Sequence, residues 1–377
     1  MPANVLFLHN GGNWIRGSEN ALLTLLRGLD KTRITPVLVC SSEQLAALAR
    51  ISGIRAICCP MPEIMLDGSE TRLQFWRCLR TIKFLVALAR KAGIRLVYCN
   101  GGSACQVGYY VGKLCRLPVI GHVHSPYNRR YILLYRLHRL SKVIVVSQAV
   151  RKMMLFKQSF RGTCDVVYNG VDTNRFCPSN QRNLVWRERL GLAQNCIVFG
   201  QVSSLISRKG IDILLRAFQK VSIGHPSARL VLIGDGPQRQ SFAGLSESLS
   251  IADKVTFLGE TDPLPYYQNV IDVNILASRS DAFPLSLLEA SACGLPNIGS
   301  AVDGIGEAIT DSENGFLFEV GKEEILAERM SLLATEATLR AQLGHRARQI
   351  ALQRFSSKQY CTSIEWIIQD QLEHSRR

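Results

Sequence analysis

Short apolar runs alternate with segments of helical period along almost the whole chain. Residues 4–9 (NVLFLH), 35–40 (TPVLVC), 94–100 (IRLVYCN), 118–124 (PVIGHVH) and 142–147 (KVIVVS) read as buried strands. Helical patterns stand at about 18–30, 70–92, 103–115, 127–140 and 148–157. A second series of strands follows at 195–203, 228–236, 254–259, 272–278 and 295–300, again with helical segments between them. From about 321 the period stays helical to the end. Alternating strand and helix predicts parallel sheets covered on both faces. The polar, aperiodic NRFCPSNQRN at 174–183 separates the two series. The expectation is therefore two doubly wound α/β domains in tandem, divided at 1–176 and 177–357. Ligands of such sheets sit at the carboxyl ends of the strands, and two such domains predict a site in the cleft they face.

Composition narrows the class. The 377 residues suffice for two domains of ordinary size. No apolar run reaches the roughly 18 to 20 residues of a membrane-spanning helix. MPANVLFLHN has no basic leader and enters a strand-like run at once, so a cleaved signal is not expected. The twelve cysteines show no framework or metal-ligand spacing. Buried free thiols in a reducing cytoplasm are the reading.

Charge changes the picture further. The formal net charge is +15, and eighteen of the 45 Lys and Arg lie between Glu70 and Asp165, an interval without one acid. Such a block predicts a surface that meets phosphates. Within it, residues 72–95 interleave seven cations with Phe, Trp and Leu. Residues 128–142 set Arg129, Arg130, Arg136 and Arg139 among Tyr and Leu. A basic amphipathic helix of this kind lies on anionic lipid, so these arginines are candidate membrane-docking residues. No aromatic–basic motif of a nucleic-acid-binding module is present, and nucleic acid is not expected as a partner.

Candidate chemistry lies at the strand ends. Gly11, Gly12 and Gly17 follow the first strand and lead into a helix, where backbone amides approach an anion; the spacing is not the dinucleotide fingerprint. Lys209 and Gly210 stand where a helix begins after the first strand of the second series. A lysine there is disfavoured by the helix dipole, by about 0.3 to 1 kcal/mol, and a bound anion reverses that. Asp281 sits just past the strand at 272–278, Pro284 is expected at the first helical position, and Glu289 follows one turn inside. Two carboxylates suit sugar hydroxyls, and the free amides between them suit phosphate. His122 and His124 alternate on one strand; the strand end and the SPY that follows favour His124 for the cleft and leave His122 structural.

SDAFPLSLLEASACGLP at 280–296 resembles the donor-binding signature of retaining GT-B glycosyltransferases of the large group 1 (family 4) type, an E-x7-E pattern within a run of this kind. YNGVDTNRFCP (168–178), RKGIDILLRAF (208–218), LVLIGDGP (230–237), VTFLGE (255–260), NGFLF (314–318), RGSENALLTLLRGL and VIGHVHSPY agree in order with the same family. The resemblance covers nearly the whole chain. It implies the GT-B fold, with two Rossmann-like domains and a last helix, about 358–377, packed back on the first. It implies transfer of a sugar from a UDP- or GDP-type nucleotide sugar to a glycan or lipid-linked acceptor, at the cytoplasmic face of a membrane. Glu289 would hold the ribose and Asp281 the sugar ring. The amides of Phe283, Leu285, Ser286 and Gly17 would hold sugar and diphosphate. Lys209, with Arg208 beside it, would meet the leaving diphosphate, and His124 would face the anomeric carbon. Catalysis would then rest on His124, Lys209 and Asp281, with no cofactor and no metal, since no Asp-x-Asp occurs.

The sequence departs from that pattern. The first acid is Asp281 followed by Ala282, Ser203-Ser204 replaces a Gly-Arg, and Asp303-Gly304-Ile305-Gly306-Glu307 replaces a Gly-Gly-x-Pro-Glu. A nucleotide-sugar epimerase of the same fold and a non-catalytic nucleotide-sugar-binding module remain alternatives.

Overall fold

The structure is a computed structural model that describes residues 2–63, 71–155, 162–179 and 183–374, with the side chains of 71–74 and 155 left undescribed. The Arg72 side chain, residues 180–182 of the expected linker and the last residues of the expected final helix lie outside the described residues. The chain divides into two compact units, residues 1–170 with 357–377, and residues 171–356.

The first unit runs β1 (Ala3–His9), α1 (Gly17–Gly28), β2 (Ile34–Cys40), α2 (Glu43–Ile51), β3 (Arg55–Cys58), α3 (Thr71–Lys91), β4 (Leu96–Asn100), α4 (Gly102–Cys115), β5 (Val119–Val123), α5 (Arg129–Leu134), β6 (Lys142–Val145), α6 (Gln148–Leu155) and β7 (Thr163–Val166). Its seven strands are parallel, in the order β3-β2-β1-β4-β5-β6-β7. β4 and β5 are buried end to end and β1 at all but Asn4, which is why they read as largely apolar runs.

The second unit runs α7 (Val185–Glu188), β8 (Val198–Val202), α8 (Ile211–Gly224), β9 (Arg229–Ile233), α9 (Arg239–Ser248), β10 (Val255–Gly259), α10 (Leu264–Asn269), β11 (Val273–Leu276), α11 (Leu285–Ala292), β12 (Asn297–Ser300), α12 (Ile305–Ala308), β13 (Gly315–Phe318), α13 (Glu323–Thr335) and α14 (Ala337–Arg354). Its six strands are parallel in the order β10-β9-β8-β11-β12-β13. The last helix, α15 (Ser357–His374), belongs to the first unit. There Tyr360, Cys361, Ile364 and Ile368 join the core formed by α1, α2 and the first strands.

All ten expected strands are present. β3, β7 and β13, which the pattern did not mark, are edge strands of four residues. β3 and β7 are partly exposed because an edge strand has one neighbour, so their patterns are mixed; β13 is apolar but only four residues long. The helix expected over 127–140 ends at Leu134, because Arg136 takes a left-handed φ of 59° before a 3₁₀ turn at Leu137–Arg139. All twelve cysteines are free thiols, eight of them buried.

Both sheets reverse strand order once, between β1 and β4 and between β8 and β11. At such a point the loops leaving adjacent strands part to opposite faces and open a crevice at the carboxyl ends. Buried polar residues stand at these ends: His9 and Asn100 in the first unit, Asp281 in the second.

Candidate active site

In the second unit, the chain leaving β8 makes a 3₁₀ turn at Ser207–Lys209 and enters α8 through Gly210. Gly210 has φ 64°, and a Cβ there would stand 1.9 Å from the Ala277 carbonyl oxygen. Only glycine lets this turn lie so close to the end of β11. Buried Gln201 fixes the spacing. Its Nε2 donates to the Lys209 carbonyl at 2.9 Å, and its Oε1 accepts from the Ala277 amide at 3.3 Å.

This approach joins two of the expected residues. The Lys209 ammonium donates to the Asp281 carboxylate, and the two side chains are only 14% and 11% exposed. Asp281 is pinned through its backbone. Its amide donates to the Asp303 carboxylate at 3.0 Å, which also accepts from the Ser280 hydroxyl at 2.6 Å. The Gly304 amide donates to the Asp281 carbonyl at 3.0 Å. Arg208 is exposed and its Nη1 donates to the Ser280 carbonyl at 2.8 Å. Arg279 forms a two-pronged pair with Asp212 at 2.8 and 2.6 Å.

Pro284 precedes the first helical position and does not occupy it. It is the N-cap of α11, with φ −77° and ψ 123°, so Leu285 and Ser286 supply the first two helical amides. Among the described residues neither amide has an acceptor. The ring of Phe283 is buried against Phe355, centroids 5.4 Å apart. The buried Tyr267 hydroxyl donates to the Ser286 carbonyl at 3.0 Å and holds the first turn of α11.

Glu289 is the fifth residue of α11 and is half-buried. No hydrogen bond from a described residue reaches its carboxylate. Burial pushes its pKa up to about 7; the charge of Arg175 opposes the shift and that of Asp262 adds to it. Arg175 itself pairs with Asp262 at 2.8 Å. The site thus holds an acid that lacks the partner its ionised form needs.

In the first unit, His9 and Asn100 end β1 and β4 and stand opposite one another in register. His9 Nε2 meets Glu19 Oε1 at 2.9 Å, and Asn100 Nδ2 donates to the Ser18 carbonyl at 3.2 Å. That donation leaves Asn100 Oδ1 as acceptor for the Nε2–H of His124, 2.7 Å away. Glu19 also caps α1 by accepting from the Arg16 amide at 3.1 Å and the Ser18 hydroxyl at 3.0 Å. Burial alone would raise the Glu19 pKa. The His9 hydrogen bond and charge, with the backbone amides, outweigh it and hold the acid at about 2. His124 is half-buried, and burial with repulsion from His9 brings its pKa down to about 4, against the attraction of Glu19. His122 is fully buried, its Nδ1 2.7 Å from the Tyr98 hydroxyl and its ring 4.3 Å from that of His124. Burial keeps it neutral well below the usual histidine range.

Gly17 is the first residue of α1, and a Cβ there would meet nothing within 4 Å. Arg129 and Arg130 are exposed on α5. Arg136 is half-buried, with Nη2 3.3 Å from the Tyr110 hydroxyl. A hydrogen bond from Arg139 to Tyr109 lowers that phenol's pKa. Among the described residues no group of three or more His, Cys, Asp or Glu is placed to hold a metal.

Sequence reasoning did not single out His9, Glu19, Asn100, Gln201 or Asp303 as site residues. For His9 and Asn100 a signal existed, since each is a polar residue ending a buried apolar run. Asp303 stands in a stretch that departs from the family pattern, but its bonds to Ser280 and Asp281 join residues more than 20 apart; Gln201 lies within a strand-like run and gave no signal.

Residues 183–350 match the family described as "Glycosyl transferases group 1", and residues 15–175 the family described as "Glycosyltransferase Family 4". N-acetyl-alpha-D-glucosaminyl L-malate synthase of Bacillus anthracis is 31% identical over 210 residues, 56% of this chain and 54% of that protein. The GDP-mannose-dependent alpha-(1-6)-phosphatidylinositol monomannoside mannosyltransferase of Mycolicibacterium smegmatis is 29% identical over 192 residues, 48% of this chain and 50% of that protein. The chain spans about half the length of these curated relatives. The crystal structure of Anabaena Alr3699/HepE in complex with UDP and glucose is similar in fold, with a TM-score of 0.84 at 22% identity over 98% of this chain and 100% of that one. With the two family matches falling in turn on the two sheets, and the fold shared across nearly the full length, the chain belongs to the group 1 glycosyltransferases of GT-B fold.

Proposed function

We propose that this chain moves a sugar from a nucleotide-sugar donor to a glycan or lipid-linked acceptor at the cytoplasmic face of a membrane, with retention at the anomeric carbon and without a metal. The observation that carries the reading is Glu289, a half-buried acid without a hydrogen-bond donor, one turn inside a helix whose first amides are also free. Ribose hydroxyls supply the donors that Glu289 lacks. The amides of Leu285 and Ser286, with that of Phe283, hold sugar and phosphate. Lys209 exchanges its bond to Asp281 for the leaving diphosphate, which frees Asp281 to accept from a sugar hydroxyl, and exposed Arg208 adds charge at the same turn. In the first unit, Gly17 and neutral His124 are the groups assigned to the substrate. Bond formation from the acceptor oxygen to the anomeric carbon accompanies cleavage of the bond to diphosphate on the same face. The acceptor's proton passes to the departing phosphate oxygen, and charge there is met by the Lys209 ammonium and the amides. A UDP- or GDP-type donor is favoured because one similar protein was crystallised with UDP and glucose and another is GDP-mannose-dependent.

The test is a thermal-shift screen of UDP- and GDP-sugars. A donor held at about 100 times its Kd should stabilise the protein by about 2.7 kcal/mol. The bound donor is then incubated with and without acceptor extract. Transfer that needs acceptor and is lost in Glu289→Ala supports the reading. An epimer formed without acceptor would make the protein an epimerase, and binding without turnover a non-catalytic module.

A further inference from the structure

One side of the 21-residue α3 packs inward, with Cys78, Ile82, Leu85, Leu88 and Ala89 buried. The opposite side leaves large apolar groups in water. Phe75 is 48% exposed, Trp76 65%, Leu79 40% and Phe84 41%. At 3.6 residues per turn, residues 75, 76, 79, 80 and 83 fall within an arc of about 140°, and Phe84 stands at its edge. Phe75 and Trp76 stand edge to face, centroids 5.9 Å apart. Exposed Arg77, Arg80, Lys83, Arg90 and Lys91 lie along the same helix. None of these five forms an ion pair with a described acid, and the sequence holds no acid from 71 to 164.

We propose that the outward face of α3 docks the first unit on an anionic lipid surface. A solvated basic helix has no need of four bulky apolar side chains on its open side, and a contiguous patch of this kind marks a binding surface. Aromatic and aliphatic groups flanked by Lys and Arg are the composition of a helix lying in a lipid interface. A second copy of the chain is a poor occupant, because its identical face would bring the same cations together. Nucleic acid would use the cations and leave the apolar groups unburied. No helix among the described residues is long and apolar enough to cross a membrane, so the contact is peripheral.

The placement gives the contact a use. Connections in a parallel sheet leave the carboxyl end of one strand and return to the amino end of the next. The first turns of α3, with Phe75 and Trp76, therefore lie toward the end of the sheet that carries His124. The same end carries α5, with exposed Arg129, Arg130 and Leu133. A lipid-linked substrate would meet this unit at that end. The docking itself does not depend on the donor reading.

The experiment is co-sedimentation of the full chain with phosphatidylcholine vesicles, with and without phosphatidylglycerol. Binding should need the anionic lipid and fade toward 1 M salt, where the Debye length falls to about 3 Å. Arg80→Gln with Lys83→Gln should lower partitioning about 30-fold, at about 1 kcal/mol per cation. Phe75→Ser with Trp76→Ser should lower it at least about tenfold with every charge retained. Quenching of tryptophan fluorescence by brominated lipid should appear with the wild type and disappear in Trp76→Phe, which keeps the aromatic and should still bind. Unchanged circular dichroism separates these effects from unfolding. Equal binding to neutral vesicles, absence of binding, unchanged binding in the Phe75/Trp76 variant, or a concentration-dependent dimer lost in that variant would each overturn the proposal. Donor-induced thermal shifts, measured in the same variants, should not change.

Discussion

Lys209 and Asp281, 72 residues apart in the chain, form an ion pair whose two side chains are almost wholly shielded from water. Gly210 and Gln201 enforce the pairing by holding the turn before α8 against the end of β11. Each charge therefore depends on the other until a ligand offers a replacement. Lys209→Ala should lower stability by about 2–4 kcal/mol, because it leaves the Asp281 carboxylate buried without its cation. It should also reduce sugar transfer by about 10²–10³-fold. Urea unfolding and a transfer assay read the two effects separately. Loss of activity without loss of stability would show that the pair contributes nothing to the resting fold.

Asp281→Glu should change donor preference or slow transfer. The turn around Asp281 is fixed by Asp303 and Gly304, so an added methylene drives the carboxylate toward Lys209 with no backbone slack to absorb it. Initial rates with a panel of nucleotide sugars test this. An unchanged profile would mean that the length of this acid does not set specificity.

Glu289 should make the empty protein less stable as pH rises. Its pKa is about 7 when folded and 4.5 when unfolded, so the folded state binds more protons between those values. Stability should fall from pH 4.5 to 7 and level off above. Glu289→Gln should remove that slope and gain about 1–3 kcal/mol at neutral pH. Donor affinity should run the opposite way, rising through pH 7 as the carboxylate ionises, and should be lost in the same variant. Melting temperatures and donor titrations across this range provide the check. A variant less stable than the wild type at pH 8 would contradict it.

His124 should set an acid limit on the first unit. A histidine at about 4 when folded and 6.5 when unfolded contributes stability that is fully present above pH 6.5 and lost as pH falls toward 4. Replacing it by Gln should flatten that window by about 1–3 kcal/mol. His122, depressed in the same direction, should retain part of the slope. Asn100→Asp should instead raise the His124 pKa, by setting a carboxylate where Oδ1 now accepts at 2.7 Å. Ring-proton titration by NMR would show both effects. A His124 that titrates near 6.5 in the wild type would contradict the account.

The order of the apolar runs by itself determined the two-sheet architecture, because the strands of sheets covered on both faces read as largely apolar runs, and ten of the thirteen strands were marked by one. The run at 280–296 likewise carried the candidate donor residues, since a strand end, a proline at a helix entry and an acid one turn inside are all local features. The edge strands β3 and β7 stayed hidden because one-sided pairing relaxes the apolar requirement, and β13, though apolar, is only four residues long. Only the tertiary structure decided which polar groups meet. The pairs Lys209–Asp281, Asn100–His124 and His9–Glu19 form where strand order reverses, and that reversal is a property of how strands are placed side by side, which no local pattern encodes. The outward face of α3 was legible as basic and aromatic, but which of its residues remain in water was settled by the packing of Cys78, Ile82 and Leu85 beneath it.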